Sequence, residues 1–475
     1  MEHFSRRQFL RAGAVGAAGA AAVGGGAWWA FGAGRPPAPD DGLPPFAGYG
    51  PVVDDPDGVL HLPEGFRYTV LAAAGDRMDD GGRRPRLPDG AEVFDAGNGR
   101  LALCSNHEIR EPGKRPNAAL DRRGGRATSA GGCTTLIVNQ DNTVESEFVS
   151  QSDTVMNCAG GKSPWGTWLT CEEIDVPPSG GDDRGYGMVY DVDPFTGDNG
   201  PPYPALGRFR HEALVFDPAT GIVYLTEDHP QGLFYRFLPQ RRDDLSAGRL
   251  EALAVPALAG TTDPLRVEWI DVSDVRGSGE SLHGVGADRG ATVFDGCEGI
   301  THFGRAIYFD EGEGGDAGLG RIWRYHPAGE RLELWYESGD ASALQQPDNL
   351  RDQPGTGDLY LCEDGAHTPN KLVVQSGRGE VFTFAEDATG SELAGACWDP
   401  TGRRLFVNLH QAGLTVAIEG PFREALAAER ERAAAGTAPA GGVRRADPDT
   451  AARAVRDRGM TPLEVEAALA LGLRV

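Results

Sequence analysis

The sequence predicts an all-β protein, and three observations favour a six-bladed β-propeller with inserted loops. Short strand-like runs that close on polar ligand-type residues recur six times, turn signals separate them, and no long amphipathic helix pattern occurs between residues 58 and 422. Recurrence of one strand unit is typical of repeated β-structure. In a radial arrangement the equivalent strand ends meet near one axis, so the pattern predicts a ring of carboxylates.

Five of the six runs close on acidic residues, and the last closes on Asn408 and His410. Adjacent carboxylates repel each other unless positive charge lies between them, and a bound cation supplies such charge. A convergent ring therefore predicts metal, whereas isolated surface doublets would simply be solvated. The runs span residues 101–108, 167–173, 223–228, 306–311, 359–364 and 405–410, with predicted ends at Glu108, Glu173, Asp228, Glu311, Asp364 and His410.

Three Asp-Pro turn motifs mark predicted hairpins, at residues 193–198, 217–221 and 399–402. Proline presets the φ angle of a turn, and the following glycine adopts positive φ without strain. Each motif lies between two β-like runs, as a hairpin turn does.

The chain divides into four predicted regions. Residues 1–34 contain the twin-arginine signature SRRQFLR at positions 5–11, followed by an Ala/Gly-rich apolar run, and predict an export signal that is either cleaved or kept as an anchor. Residues 35–57 are rich in Pro, Gly and Asp and predict a linker. Residues 58–422 form the predicted catalytic propeller, and residues 423–475 predict a short helical tail.

Charge and cysteine content limit the function. The net charge of −25 argues against binding to nucleic acid. Seven cysteines leave at least one thiol outside any disulfide framework, and no C-x-x-C motif indicates a structural zinc site. Cys158 precedes a Gly-Gly turn instead of lying in an apolar run, so its thiolate is a candidate ligand for a metal such as iron.

Two further stretches carry candidate ligands. His211 and Glu212 directly precede a strand-like run, and Glu298 lies between Cys297 and Gly299, where nothing bulky hinders a metal. Cations near these motifs suit an anionic substrate. The nearest basic residues are Arg110, Lys114 and Lys162.

Four motifs resemble the PhoX family of twin-arginine-exported alkaline phosphatases: MNCAGGKSPWGTWLTCEE (156–173), GRFRHEA (207–213), FDGCEGI (294–300) and ELAGACWDPTGRRLFVNLHQAG (392–413). The resemblance covers about residues 58–422. It implies a six-bladed propeller with an axial, oxide-bridged cluster of Fe³⁺ and Ca²⁺ that hydrolyses phosphate esters.

The motif match assigns candidate roles to individual residues. Cys158 corresponds to the family's iron-binding cysteine, and Glu212 and Glu298 correspond to iron- or calcium-binding glutamates. The strand-end acids are the remaining metal candidates, near calcium: Glu108, Glu172, Glu173, Glu227, Asp228, Glu363 and Asp364.

One position departs from the family pattern. The resemblance places a phosphate-holding arginine in the motif F-x-R-x-E-G, whereas this chain has Gly296 there and retains Glu298. We therefore expect phosphomonoesterase activity to be weaker than in members with the arginine. Asn106 and Lys162 are the predicted catalytic residues that contact phosphate, with metal-ion catalysis supplying the nucleophile as a metal-bound oxide or hydroxide.

Two other functions fit the sequence less fully. A calcium-dependent propeller lactonase would need few acids and no cysteine ligand. An exported, non-catalytic propeller would use metals structurally and bind a partner on one face. The favoured interpretation predicts a small phosphate ester as substrate, the twin-arginine export machinery as partner, a monomer, and a periplasmic, cell-envelope or extracellular location.

Overall fold

The computed structural model describes residues 48–109, 131–177, 185–256, 264–275, 280–366, 369–377 and 379–423. The predicted export signal, the predicted helical tail, Arg110 and Lys114 lie outside these residues.

Six antiparallel sheets follow one another along the chain, and each forms one blade. The first strands of consecutive blades contact each other, and the first strand of blade 6 contacts that of blade 1, so these six strands form a closed inner ring. The predicted six-bladed propeller is confirmed. Blade 1 comprises Pro88–Gly97, Arg100–His107, Gly131–Val138 and Val144–Thr154; blade 2 comprises Asn157–Lys162, Trp168–Glu172 and Val189–Val192; blade 3 comprises His211–Phe216, Val223–Glu227, Phe234–Arg241, Asp244–Ala254 and Glu268–Asp271.

The remaining three blades repeat this order, with the first strand always innermost. All three take their outermost strands from earlier in the chain: blade 4 from the segment between the last two strands of blade 3, and blades 5 and 6 from the segment before blade 1. Blade 4 comprises Cys297–Phe303, Ala306–Glu311, Arg321–His326, Arg331–Glu337 and Leu265–Arg266; blade 5 comprises Pro347–Asp352, Leu359–Glu363, Lys371–Gln375, Val381–Asp387, Leu60–Pro63 and Val52–Val53; blade 6 comprises Leu393–Trp398, Arg404–Leu409, Leu414–Glu419 and Arg67–Ala73.

The ring closes by pairing the two ends of the propeller. Arg67–Ala73 lies antiparallel to Leu414–Glu419, so blade 6 combines early and late chain segments. Beside this junction, the buried Arg84 guanidinium contacts the Glu147 carboxylate in blade 1 and donates to Thr415 Oγ1 in blade 6 at 2.6 Å. The closure is therefore held by backbone pairing and by a buried charge pair.

The six runs predicted as innermost strands are the second strands of their blades. In each blade the first strand begins, and the second strand ends, at the same edge of the sheet, and both strands are buried. Acidic ends and alternation of apolar residues therefore do not show which of the two strands is innermost. Radial order follows from which strands pack against the neighbouring blade, and that information is not local in sequence.

Two of the three predicted turns connect paired strands. Residues 217–221 join the first two strands of blade 3, and residues 399–402 join the first two strands of blade 6. The turn at 193–198 follows the last strand of blade 2, and the returning chain forms only an isolated bridge between Tyr190 and Pro202. The hairpin prediction at that position is wrong because blade 2 ends with its third strand.

Part of the predicted linker belongs to the propeller. Val52–Val53 pairs with blade 5, and Tyr49 packs edge-to-face on Phe66 and Phe384 at centroid distances of 4.9 and 5.5 Å. Packing thus begins about ten residues before the predicted boundary at 58. The described residues contain one α-helix, Leu282–Asp288, and three 3₁₀ turns, Pro204–Leu206, Ser273–Val275 and Pro327–Gly329. None of the helices described is long and apolar enough to cross a bilayer.

We expect Arg84→Ala to destabilise the protein by about 3–5 kcal/mol, since it strands the buried Glu147 carboxylate without its partner. The matched control is Arg100→Ala in the same blade. Arg100 pairs with Glu145 at 2.9 Å, but the two side chains are 33% and 47% exposed, and such pairs contribute about 0–1 kcal/mol. Chemical denaturation measures both changes, and equal effects would show that the closure does not depend on the buried pair.

Candidate metal centre

A β-bulge recurs near the start of the inner hairpin in every blade. In blade 2, for example, Asn157 pairs with Glu172, but the next pair is Gly160 with Thr170, so one extra residue is inserted. Bulges re-aim side chains. In blades 1–5 the first bulged residue carries a carboxylate or thiol: Asp89, Cys158, Glu212, Glu298 and Asp348.

Small residues follow these side chains where neighbouring inner strands come close together. A Cβ on Gly90 would lie 2.5 Å from Ala159 Cα, and one on Gly299 would lie 2.6 Å from the Leu350 amide nitrogen. Real Cβ atoms do not approach this closely, so glycine is required at both places. The tight approach of the strands brings the bulged side chains of adjacent blades within reach of one another.

Ten buried side chains from all six blades form four groups whose ligand atoms lie within 4.8 Å of one another. Glu212 belongs to two groups, and so does Asp348; three of the four groups are therefore one continuous cluster. The groups are Asp89, Glu108 and His410; Cys158, Glu173 and Glu212; Glu212, Glu298 and Asp348; and Asp348, Asp364 and Glu392.

Cys158 lies at the centre of the second group. Its Sγ is 3.0 Å from Glu212 Oε1. All seven cysteines lie in described residues, and none forms a disulfide. Asn106 holds the Cys158 strand in place, because its Nδ2 donates to the backbone oxygens of Cys158 and Ala159 at 2.9 and 2.8 Å. Both amide hydrogens are thus used, so the structure gives Asn106 a positioning role and not the predicted contact with phosphate.

The electrostatics of the cluster favour bound cations. Burial raises the pKa of Glu392 well above its usual range, and the neighbouring carboxylates Asp364 and Asp348 raise it further. In the first group, the His410 ring lies 3.0 Å from Asp89 Oδ2 and 3.4 Å from Glu108 Oε2. Carboxylate oxygens suit calcium, and a thiolate with carboxylates and imidazole suits iron. The donor set therefore fits both metals.

The acidic doublets divide into two roles. Successive residues of a strand face opposite sides, so Glu173 and Asp364 enter the four groups while the acids before them do not. Those preceding acids accept backbone N–H groups of nearby loops. The acceptors are Glu172 (from Val155, Gly187 and Met188), Glu227 (from Leu233) and Glu363 (from Gln345 and Lys371), and Glu311 does the same for Asp295.

Asp228 lies beside the cluster, close to Gly296. A Cβ built on Gly296 would lie 3.1 Å from Glu298 Oε1 and 3.3 Å from Asp228 Oδ1. The first carbon of any side chain at position 296 would therefore contact these two carboxylates. Gly296 has φ +71°, a conformation in which an arginine would be strained.

Lys162 lies at the opposite end of the strand that begins beside Cys158. At a rise of about 3.3 Å per residue, four residues separate the two by roughly 13 Å. Its Nζ donates to the Val93 oxygen at 2.7 Å and lies 3.6 Å from Glu92 Oε1. The prediction that Lys162 contacts phosphate at the metal centre is not supported, since strand direction carries it away.

Sequence reasoning missed four members of the groups as metal ligands: Asp89, Asp348, Glu392 and His410. A signal for the first two was present. Pro88-Asp89-Gly90 and Pro347-Asp348-Asn349 repeat the pattern of an acid before a small residue that marks His211-Glu212-Ala213. Blade 6 departs from the pattern, because its bulge contains Gly395 and its ligand candidates come from flanking positions.

A closed ring of six blades with ligand-type side chains buried at one end of the inner strands defines a β-propeller with a candidate metal centre on its axis. The family model described as alkaline phosphatase PhoX matches residues 47–153 and 141–413. The chain belongs to this PhoX alkaline phosphatase family, and it is a phosphatase-type hydrolase.

Comparison of structures agrees on the fold. Pseudomonas fluorescens PhoX, solved with vanadate as a transition-state analogue, has a TM-score of 0.63 and 18% identity, covering 76% of this chain and 96% of that one. The gluconolactonase XC5397 of Xanthomonas campestris gives a TM-score of 0.41 and 14% identity over 78% and 98% of the two chains. Among curated proteins, none matches this chain by sequence.

Removal of metal should make stability fall with rising pH. A raised pKa means that Glu392 keeps its proton in the folded state at pH values where it is ionised in the unfolded state. The contribution of Glu392 to the free energy of unfolding is therefore fully present below its pKa in the unfolded state, about 4.3. It is lost as the pH rises towards its pKa in the folded state, by about 1.4 kcal/mol per pH unit for each group shifted in this way. Metal-bound protein should not show this loss.

The measurement compares denaturation midpoints with and without chelator at about pH 5.5 and about pH 8. The stability gap between the two forms should be larger at the higher pH. A gap independent of pH would contradict the idea that cations neutralise these carboxylates.

Proposed function

We propose that this protein is an exported phosphatase that hydrolyses phosphate esters at an axial site containing iron and calcium. The observation that carries the proposal is the continuous set of buried carboxylates around Cys158 and Glu212, with the Cys158 thiol 3.0 Å from the Glu212 carboxylate. Structural calcium alone would not call for a thiol in this set.

The residues divide the metals between them by donor chemistry. Cys158, with Glu212 and Glu298 beside it, would hold iron, whereas the all-carboxylate group of Asp348, Asp364 and Glu392 would hold calcium. Bound cations would supply Lewis acidity and positive charge at the phosphate. Asn106 fixes the carbonyl oxygens that flank the thiol and thereby holds its orientation.

The other two candidate functions fit this site less well. A calcium-dependent lactonase needs few acids and no thiol, whereas here the four groups contain eight carboxylates and one cysteine. A non-catalytic propeller has no need of a mixed thiol and carboxylate set. We also propose, from the twin-arginine signature, that the protein folds and takes up metal before export and acts outside the cytoplasm as a monomer.

We expect Cys158→Ala to remove most of the iron and to leave calcium and the β-fold in place, because the apolar cores between adjacent blades remain. Elemental analysis and circular dichroism measure the two effects. The matched control is Cys104→Ala, a buried cysteine of blade 1 that belongs to none of the four groups. Iron retained in Cys158→Ala, or lost equally in both variants, would contradict the assignment of this thiol.

Hydrolysis assays test the activity itself. The purified metal-containing protein should cleave phosphate esters, and chelation should abolish turnover. We propose weaker monoester hydrolysis than in family members with the arginine, because a charge-assisted bond contributes about 1.5–3 kcal/mol and Gly296 offers none. Parallel kcat/KM values for monoesters and diesters measure the preference, and absence of turnover with both classes would refute the proposed function.

A further inference from the structure

We propose that Arg210 binds the phosphoryl oxygens of the substrate and restores, from blade 3, part of the binding that Gly296 cannot provide from blade 4. This inference rests on the proposed phosphatase function and names a substrate-binding residue for it. Three observations support it: the side of the chain on which Arg210 lies, the absence of a hydrogen bond or ion pair of its side chain among the described residues, and its neighbours.

The chain direction places Arg210 on the same side as the metal-ligand candidates. Phe209 and His211 are buried with ring centroids 3.6 Å apart, on the core side of the segment. Successive residues of an extended segment face opposite sides. Arg210 therefore points away from that core, and its backbone bridges that of Glu173, a member of the Cys158 group. The guanidinium thus extends from the edge of the Cys158 group.

The guanidinium is available for a ligand. Arg210 is half-buried, and within the described residues no hydrogen bond or ion pair of its side chain is formed. Its positive charge, with those of Arg208 and His283, opposes the rise in the pKa of Asp175 that burial causes, so Asp175 is its acidic neighbour. Other arginines of blade 3 are engaged: Arg236 contacts Glu251 at 2.7 Å, and Arg249 contacts the same carboxylate at 2.7 Å. A planar guanidinium offers paired donors that match two oxygens of a phosphate.

The neighbours of Arg210 border the space beside Gly296. The His229 backbone oxygen accepts from the Gly296 amide at 3.0 Å, and the His229 ring stacks on His283 at 3.9 Å. Burial lowers the pKa of His229 to about 4, with the charges of His283 and Arg210 contributing in that order. The charge of Arg210 therefore acts on the segment whose backbone oxygen binds the Gly296 amide.

Calorimetric titration of the metal-containing protein with orthophosphate tests the inference. Arg210→Gln should weaken orthophosphate binding at least about tenfold. Arg210→Lys keeps the charge but loses the paired donors of the guanidinium, so its affinity for orthophosphate should lie between those of Arg210→Gln and the natural protein. Metal content by elemental analysis should be the same in all three proteins. The matched control is Arg249→Gln, whose arginine lies on the fourth strand of the same blade and is 53% exposed.

The outcomes separate this inference from the proposed function. Unchanged orthophosphate binding in Arg210→Gln, or no binding by the natural protein, overturns the inference. Loss of metal together with phosphate binding also overturns it, because Arg210 would then stabilise the acidic ring instead of the ligand. If Arg210→Gln loses orthophosphate binding while the natural protein hydrolyses no phosphate ester, the inference stands and the proposed catalysis fails.

Discussion

Burial of many carboxylates at one end of the inner strands is the constraint on which the rest of the structure depends. Removing an isolated charged group from water costs several kcal/mol even after relaxation, and the four groups contain eight carboxylates and one imidazole. Cations that bind several carboxylates at once offset this cost. The propeller supplies the rigid frame, since apolar cores form between adjacent blades and the buried contacts between blades 1 and 6 hold the ring closed.

The blades share one device for aiming ligands. In blades 1–5 a bulge after the first residue pair turns one side chain of the inner strand toward its neighbours, and the following small residue lets adjacent inner strands approach. The acid that ends the second strand adds a further ligand candidate. The acid before it accepts hydrogen bonds from backbone N–H groups of nearby loops. A single doublet such as Glu172-Glu173 thus serves both the blade and the axis because its two side chains face opposite sides.

Within one fold, substrate recognition depends on side chains and not on topology. Glu298 belongs to the ligand groups, whereas Gly296, two residues earlier, offers no side chain and has a φ that is unfavourable for any larger residue. The guanidinium that we propose as the anion-binding group, Arg210, lies two residues before Glu212 in the neighbouring blade. Charge recognition can move between blades because all inner strands begin at the same end of the axis.

The sequence alone determined the six-bladed propeller, since the repeat of strand and acid is local information, and with the family motifs it identified Cys158, Glu212, Glu298, Glu173, Asp364 and Glu108 as ligand candidates. Only the tertiary structure decided which strand of each hairpin is innermost and which acid of each doublet faces the axis. It also added Asp89, Asp348, Glu392 and His410 to the ligand candidates. It placed Asn106 against the backbone beside Cys158 and Lys162 at the far end of the same strand. These properties depend on bulges, strand direction and packing between blades, which join residues far apart in sequence.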